Sequence, residues 1–143
     1  MKNVLDVANW FLNKDSMTHK KVQKLCYYSQ AWHLALLDEP LFADEIQAWI
    51  HGPVIPTLYP HYAAYRWLDI PQVNDKPDFD ERTNNLLEAV FVTYGEFTGD
   101  QLERLTHSEQ PWQEARGNLQ PFEPCENPIS LVSMKKYYEQ KYR

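Results

Sequence analysis

Cysteine and histidine are the side chains best suited to nucleophilic, acid–base or metal-binding chemistry, and this chain has 2 cysteines and 5 histidines. Zinc-binding and metalloprotease sequences usually carry His-Glu-x-x-His or Cys-x-x-Cys spacing, and neither occurs here. The sequence therefore predicts no metal site and no cofactor. The histidines are His19, His33, His51, His61 and His107.

Cys26 is the better placed of the two thiols for nucleophilic chemistry, because Lys24 and His33 lie near it in the sequence. However, it falls on the apolar stripe of a predicted helix, where a thiol behaves as a small hydrophobic group. A reactive cysteine needs an exposed, electropositive setting. Since no nucleophile elbow, phosphate loop or dinucleotide motif occurs, we expect a protein that is not an enzyme and has no catalytic residues. A hydrolase using His107 or Cys26 is the minor alternative.

Three local patterns are more distinctive than any of these single residues. Each combines polar, aromatic or proline residues and includes a boundary of a predicted helix or strand. In chain order they are Thr18-x-x-Lys21-x-x-Lys24-Leu25-x-Tyr27-Tyr28-x-Gln30-Ala31-Trp32, then Trp49-x-His51-Gly52-Pro53-Val54-x-Pro56-x-x-Tyr59, then Leu105-Thr106-His107-x-x-x-Pro111-Trp112.

Apolar periodicity predicts the helices that position these patterns. Helices are expected over residues 3–13, 18–37, 80–94 and 131–140, with two short helices starting near residues 98 and 108. Side chains that accept hydrogen bonds from free N–H groups favour the N-cap position. Gly95 fits a left-handed residue after the third of these helices. The predicted N-caps are Asn3, Thr18, Thr98, Ser108 and Ser130.

Alternating apolar residues predict a strand over residues 43–51, which Gly52 and Pro53 are expected to end. Pro53 and Pro56 are expected to open a helix, and Pro60 to kink or stop it. A short second strand is one option for residues 67–73. The predicted fold is therefore mainly α (α+β): a single compact helical domain, residues 1–143, around a long central helix with a small β element.

The net charge of −6 is concentrated in one part of the chain. Residues 75–109 hold 3 basic and 9 acidic residues, whereas residues 1–74 have a balance of −1 and residues 110–143 a balance of +1. A net-acidic chain argues against dedicated nucleic-acid binding, which needs a dense basic surface. The acidic segment indicates either well-solvated helices or an acidic face for a basic partner.

No apolar run approaches the roughly 18 residues of a membrane-spanning helix. The N-terminal residues are amphipathic and lack the apolar run of a signal peptide. The low cysteine content favours a reducing compartment, although a pairing of Cys26 with Cys125 stays open. We expect a cytoplasmic protein without membrane contacts.

The three patterns together resemble the SocA-like antitoxin family, also called the Panacea domain and found in phage-associated GepA-like proteins. The resemblance runs from Val4 to about Tyr138. It implies an antitoxin of a toxin–antitoxin system that neutralises a cognate protein toxin by direct protein–protein binding. It also implies an alternative, a proteolytic adaptor that delivers a bound client to a protease. The oligomeric state stays open.

Aromatic side chains are over-represented among interface hot spots, whereas a Tyr or Trp at helical spacing more often packs in a core. The motif residues Gly52, Pro53, Pro56, Thr106, His107, Pro111 and Trp112 are expected to be structural: turn geometry, helix initiation, a hydrogen bond at a helix end and core packing. The candidates for partner contacts are the aromatic residues Tyr27, Tyr28, Trp49, Tyr59 and Tyr62, with a charged rim of Lys20, Lys21 and Lys24.

Overall fold

The computed structural model describes residues 1–142 and builds them around one long helix, α2 (His19–Leu37). The Thr18 side chain caps this helix by accepting a hydrogen bond from the Lys21 N–H at 3.2 Å. Asp38 ends it in the left-handed conformation, at φ 61°. Fifteen of its 19 residues are buried, so α2 is covered on every side. The predicted central helix and its cap are confirmed.

Four longer helices, α1 (Val4–Lys14), α4 (Glu81–Tyr94), α5 (Gly99–His107) and α7 (Leu131–Tyr142), pack around α2. A shorter helix, α6 (Gln110–Arg116), lies between α7 and a small β hairpin. One hydrophobic cluster joins them, from Val4 to Tyr138. The mainly α fold with a small β element is confirmed. The elements are α1 (Val4–Lys14), β1 (Met17–Thr18), α2, β2 (Gln47–Trp49), β3 (Gly52–Val54), α3 (Tyr59–Tyr62), a 3-10 turn (Ala63–Tyr65), β4 (Asp69–Ile70), α4 (Glu81–Tyr94), α5 (Gly99–His107), α6 (Gln110–Arg116) and α7 (Leu131–Tyr142).

The β hairpin corrects two sequence predictions. The strand expected over residues 43–51 is only β2, and Gly52 and Pro53 do not end it but begin its antiparallel partner β3. Trp49 pairs with Gly52 across a two-residue turn. Gly52 has a φ of 107°, a conformation that glycine adopts without the penalty of a Cβ, and this lets the chain reverse immediately. The short second strand near residue 70 is confirmed as β4, which pairs with β1.

The proline predictions after the hairpin are wrong. No helix opens at Pro53 or Pro56, because Pro53 belongs to β3 and Pro56 starts a turn that its carbonyl closes with the Tyr59 N–H at 3.2 Å. Pro60 does not stop a helix. It lies in the first turn of α3, where its missing N–H leaves no intrahelical bond unmade.

Three of the remaining predicted caps are confirmed, whereas the left-handed conformation of Gly95 and the Ser108 cap are wrong. Asn3, Thr98 and Ser130 each accept a hydrogen bond from a backbone N–H of the helix that follows. Gly95 has a right-handed φ of −64°. Ser108 ends α5 instead of capping α6, since its hydroxyl donates back to the Leu105 carbonyl.

Glu109, the residue before α6, carries a carboxylate that is buried between three helices, with 1% of the residue exposed. Its Oε1 accepts hydrogen bonds from the hydroxyls of Tyr28 at 2.6 Å and Tyr138 at 2.8 Å. Its Oε2 forms an ion pair with the Lys141 amine at 2.8 Å. A single carboxylate therefore joins α2, the start of α6 and α7.

An aromatic cluster extends this connection to α4. The Tyr28 ring stacks on Tyr94 of α4 with the ring centroids 3.9 Å apart. The Trp32 indole N–H donates to the Tyr94 hydroxyl at 3.2 Å, so polar atoms within the cluster also find partners. Stacked aromatic pairs stabilise a fold beyond the area that they bury.

Replacing the buried carboxylate should strongly destabilise the fold. We expect Glu109→Ala to lower the free energy of unfolding by about 3 kcal/mol, because two buried hydroxyls and the Lys141 ammonium lose their acceptor. Urea denaturation measures this loss. Glu114→Ala removes an exposed carboxylate from α6 and serves as the control, with an expected effect below about 0.5 kcal/mol. Equal losses in the two variants would contradict the structural role of Glu109.

Candidate functional site

A groove of about 840 Å³ opens beside the start of α2. Its walls are the first two turns of α2, the β2–β3 hairpin, residues 59–67, the start of α5 and residues 124–126. Its volume lies in the usual range of ligand-binding clefts. The groove is therefore the concave surface where we place the candidate site.

Aromatic residues form one wall of the groove. The Trp49 and Tyr59 rings lie with their centroids 5.1 Å apart, and the His19 and Tyr59 rings 4.9 Å apart. The Trp49 indole N–H donates to the Gln47 side chain at 2.8 Å. Tyr59 is 40% exposed, and Trp67, further along the same wall, is 76% exposed. Apolar surface of this kind is available to another molecule.

The structure brings some of the candidate partner-contact residues together and separates others. Lys20, Lys24, Trp49 and Tyr59 all line the groove. Lys21 does not line it, and its amine instead donates to the Gly95 carbonyl at 2.6 Å.

Three of the aromatic candidates do not lie on the surface. Tyr27, Tyr28 and Tyr62 are buried in the core and do not line the groove, so they offer no contact to a partner bound there. Lys24 is also buried, and it does not belong to an exposed charged rim. Tyr27, Tyr28 and Lys24 are buried because neighbouring elements enclose most of α2. Tyr62 belongs to α3 and packs against the His19 ring, with the ring centroids 5.6 Å apart.

Lys24 lies at the floor of the groove with 1% of the residue exposed. Its amine donates to the Pro53 carbonyl at 3.1 Å and so ties the hairpin to α2. Burial, together with the nearby Lys20 charge, lowers the pKa of Lys24 to about 7. Lys20 itself forms ion pairs with Asp100 at 2.8 Å and Glu103 at 2.6 Å on α5.

His19 and Gln23 hold the chain that follows the hairpin. The Gln23 side chain accepts from the Ile55 N–H at 2.8 Å and donates to the Ile55 carbonyl at 3.3 Å. The amide nitrogen of Gln23 also lies 3.0 Å from Nε2 of His19. Burial and the neighbouring Lys24 lower the pKa of His19 to about 4, so His19 is neutral at neutral pH.

The residues of the third sequence pattern, 105–112, pack behind the hairpin, on the side away from the groove. His107 stacks on Trp112 with the ring centroids 3.9 Å apart, and burial lowers the pKa of His107. Trp112 is buried, and its indole N–H donates to the Trp49 carbonyl at 2.8 Å. Thr106 donates to the Glu103 carbonyl within α5, and Pro111 lies in the first turn of α6.

The geometry gives no support to nucleophilic or metal chemistry. Cys26 is fully buried, and burial raises the pKa of its thiol, which opposes thiolate formation. Cys125 is also a free thiol. Within residues 1–142, no group of three or more His, Cys, Asp or Glu side chains is arranged to hold a metal ion. None of the helices in this part of the chain is long and apolar enough to span a membrane.

Several carboxylates of the acidic segment form ion pairs with neighbouring helices. Asp100 and Glu103 pair with Lys20, as described above, and Glu88 of α4 pairs with Lys14 of α1. These pairs link helices, so part of the local negative charge is neutralised within the fold.

Sequence reasoning missed two residues at the groove mouth, Arg66 and Trp67. Both follow the 3-10 turn, in a stretch without regular apolar periodicity. The available signal was a tryptophan at the start of a segment, residues 67–73, for which a loop and a short strand were both open. An exposed tryptophan outside regular structure is itself a feature of binding surfaces.

A comparison with protein-family models gives one match, described as "Antitoxin SocA-like, Panacea domain", over residues 22–113. The matched region is well over half of the chain and includes most of α2, the hairpin and residues 59–67. No curated protein and no solved structure matches the chain.

Gly52 should be less tolerant of substitution than Gly117, although both have positive φ values. A methyl group added at Gly52 would lie 2.5 Å from Cε of Lys24 and 3.0 Å from Oγ1 of Thr106, whereas nothing lies within 4 Å at Gly117. We expect Gly52→Ala to cost about 3 kcal/mol and Gly117→Ala about 1 kcal/mol, because only the first adds a clash to backbone strain. Thermal and urea denaturation measure both. A larger cost at Gly117 would show that the contact with Lys24 is unimportant.

The neutral state of His19 should make the fold sensitive to acid. The folded-state pKa of about 4 lies below the ordinary value of 6.5, so the unfolded state binds an additional proton between these values. The contribution of His19 to stability is complete above pH 6.5 and is lost as the pH falls towards 4. We expect the free energy of unfolding to decrease less steeply over this range in His19→Gln, with pH 8 as the reference. Identical slopes in both proteins would contradict the prediction.

Proposed function

The chain belongs to the SocA-like antitoxin family with the Panacea domain, and on that premise we propose that it neutralises a cognate protein toxin by direct binding in the cytoplasm. The observation that carries this proposal is the family match, which extends over most of the walls of the groove. The antitoxin description comes from the family, and direct binding is our inference from the surface that this chain presents.

The groove and its mouth support protein binding. Trp67 is 76% exposed and the adjacent Leu68 is 63% exposed, next to the partly exposed aromatic wall of Trp49 and Tyr59. Aromatic anchors that lose water on docking dominate the free energy of many interfaces. A partner that covered these side chains would remove apolar surface that the folded chain leaves in water.

Binding explains the site better than catalysis does. Cys26, which lies within the span of the first sequence pattern, is buried in the core, and His107 packs against Trp112 behind the hairpin. The polar groups at the groove floor mainly satisfy backbone atoms, as Gln23 does for Ile55 and Lys24 for Pro53. These contacts make a rigid binding surface, which lowers the entropic cost of docking.

Replacing the exposed tryptophan should weaken toxin neutralisation without unfolding the protein. We expect Trp67→Ala to weaken binding to the toxin about tenfold or more, because an aromatic anchor is lost. The measurement combines growth rescue on co-expression with the product of the neighbouring gene and an affinity measured with purified proteins. Val92→Ala removes a side chain that is 78% exposed on α4, away from the groove lining, and is expected to change neither result.

Two results would contradict the proposal. The first is a neighbouring gene product that is harmless alone or forms no complex with this chain. The second is a toxin whose half-life shortens when this chain is present and whose growth defect returns when proteases are removed. That outcome would favour the adaptor that delivers a client to a protease, since a masking antitoxin leaves the toxin level unchanged.

A further inference from the structure

The lysine at the groove floor has unused hydrogen-bonding capacity. A lysine ammonium offers three donors, and the Pro53 carbonyl is the one acceptor that Lys24 reaches among residues 1–142. A buried amine with so few partners is costly, because the polar group has lost water without full replacement. Met or Leu at this position would fill the same space without that cost.

The other charged groups of the groove are largely paired with one another. Lys20 binds Asp100 and Glu103, and His51 lies 3.2 Å from Glu103. Lys24 has no carboxylate within ion-pair distance in the described part of the chain. The same holds for Arg66, which is exposed at the groove mouth.

This leaves one basic residue at the floor and one at the mouth, each without a carboxylate within ion-pair distance among residues 1–142, along an aromatic wall. Glu126 is the acidic residue of the lining that has no ion pair among residues 1–142. A carboxylate that entered the groove would therefore meet two basic side chains, Lys24 and Arg66, that form no ion pair within residues 1–142. Apolar walls that exclude water strengthen such a charge-assisted hydrogen bond.

We infer that the groove binds a segment of the toxin that carries an acidic side chain next to an apolar one, with Lys24 binding the carboxylate. The inference rests on the proposed antitoxin function and adds the chemistry of the partner segment. The apolar neighbour packs against Trp49 and Tyr59, and Arg66 contributes attraction at the entrance. Lys24 thus has two roles, holding the hairpin through Pro53 and binding the partner's carboxylate.

Lys21 provides a matched control for Lys24. Both lysines lie on α2, and both donate to one backbone carbonyl, Lys21 to Gly95 and Lys24 to Pro53. Only Lys24 lines the groove. A purely structural role for such lysines predicts that the two methionine variants behave alike towards a ligand.

The test uses two short peptides with blocked ends, acetyl-Trp-Glu-Leu-amide and acetyl-Trp-Gln-Leu-amide, titrated into the full chain and followed by NMR. We expect the Glu peptide to bind the unmodified protein about tenfold more tightly than the Gln peptide, as a charge-assisted hydrogen bond would give. This preference should disappear in Lys24→Met and persist in Lys21→Met. Equal binding of the two peptides, no binding of either, or a preference that survives Lys24→Met would overturn the inference.

A measurement on the unmodified protein keeps the test decisive if Lys24→Met fails to fold. The Lys24 side-chain amine is titrated by NMR with each peptide bound. The Glu peptide should raise the pKa of Lys24 and the Gln peptide should leave it unchanged; equal values would overturn the inference. Four other titratable groups interact electrostatically with Lys24, and they are the same whichever peptide is bound: His19, Lys20, Glu103 and His107.

Growth rescue by co-expression separates this inference from the proposed function. A chain that neutralises the toxin but shows no preference for the Glu peptide contradicts the role of Lys24 alone. A chain that prefers the Glu peptide but neutralises no toxin contradicts the antitoxin proposal and leaves the carboxylate site standing.

Discussion

The burial of α2 on every side is the constraint on which the rest of the structure depends. A buried polar group must find a partner or it costs stability. Several polar side chains of this helix therefore fix a neighbouring segment: Tyr28 holds Glu109, Gln23 holds Ile55, and Gln30 accepts from the N–H groups of Leu41 and Phe42. The helix thereby positions α6, the hairpin and the chain that precedes it.

The groove is a consequence of the same constraint. The first turns of α2 anchor the hairpin through Lys24 and the chain after the hairpin through Gln23. These contacts position the aromatic wall of the groove opposite the start of α5. Tyr59 is 40% exposed and Trp67 is 76% exposed, and both lie in the stretch of short elements and turns over residues 59–67. A well-anchored floor and an exposed wall together form a surface suited to a partner protein. The match to an antitoxin family implies that this partner is a toxin.

Helix positions were predictable from the sequence because apolar spacing and capping residues such as Thr18 and Thr98 act locally. The hairpin was only half predictable, since Gly-Pro ends a strand in most contexts but here continues into β3 through the positive φ of Gly52. The surface or core location of Tyr27 and Tyr28 was not predictable, because helical spacing does not reveal that α2 is enclosed on all sides. Glu109 gave no sequence signal at all, since its partners Tyr28 and Lys141 lie far away in the chain.

Hydrogen–deuterium exchange on the complex with the proposed toxin most directly tests whether the groove is the binding site. A toxin bound in the groove should slow exchange in residues 47–54 and 59–70, which form the aromatic wall and mouth of the groove. The middle of α4, on a surface that does not line the groove, should exchange at its free rate. Slowed exchange confined to α4 or α7, with residues 47–54 unchanged, would contradict the claim that this groove binds the toxin.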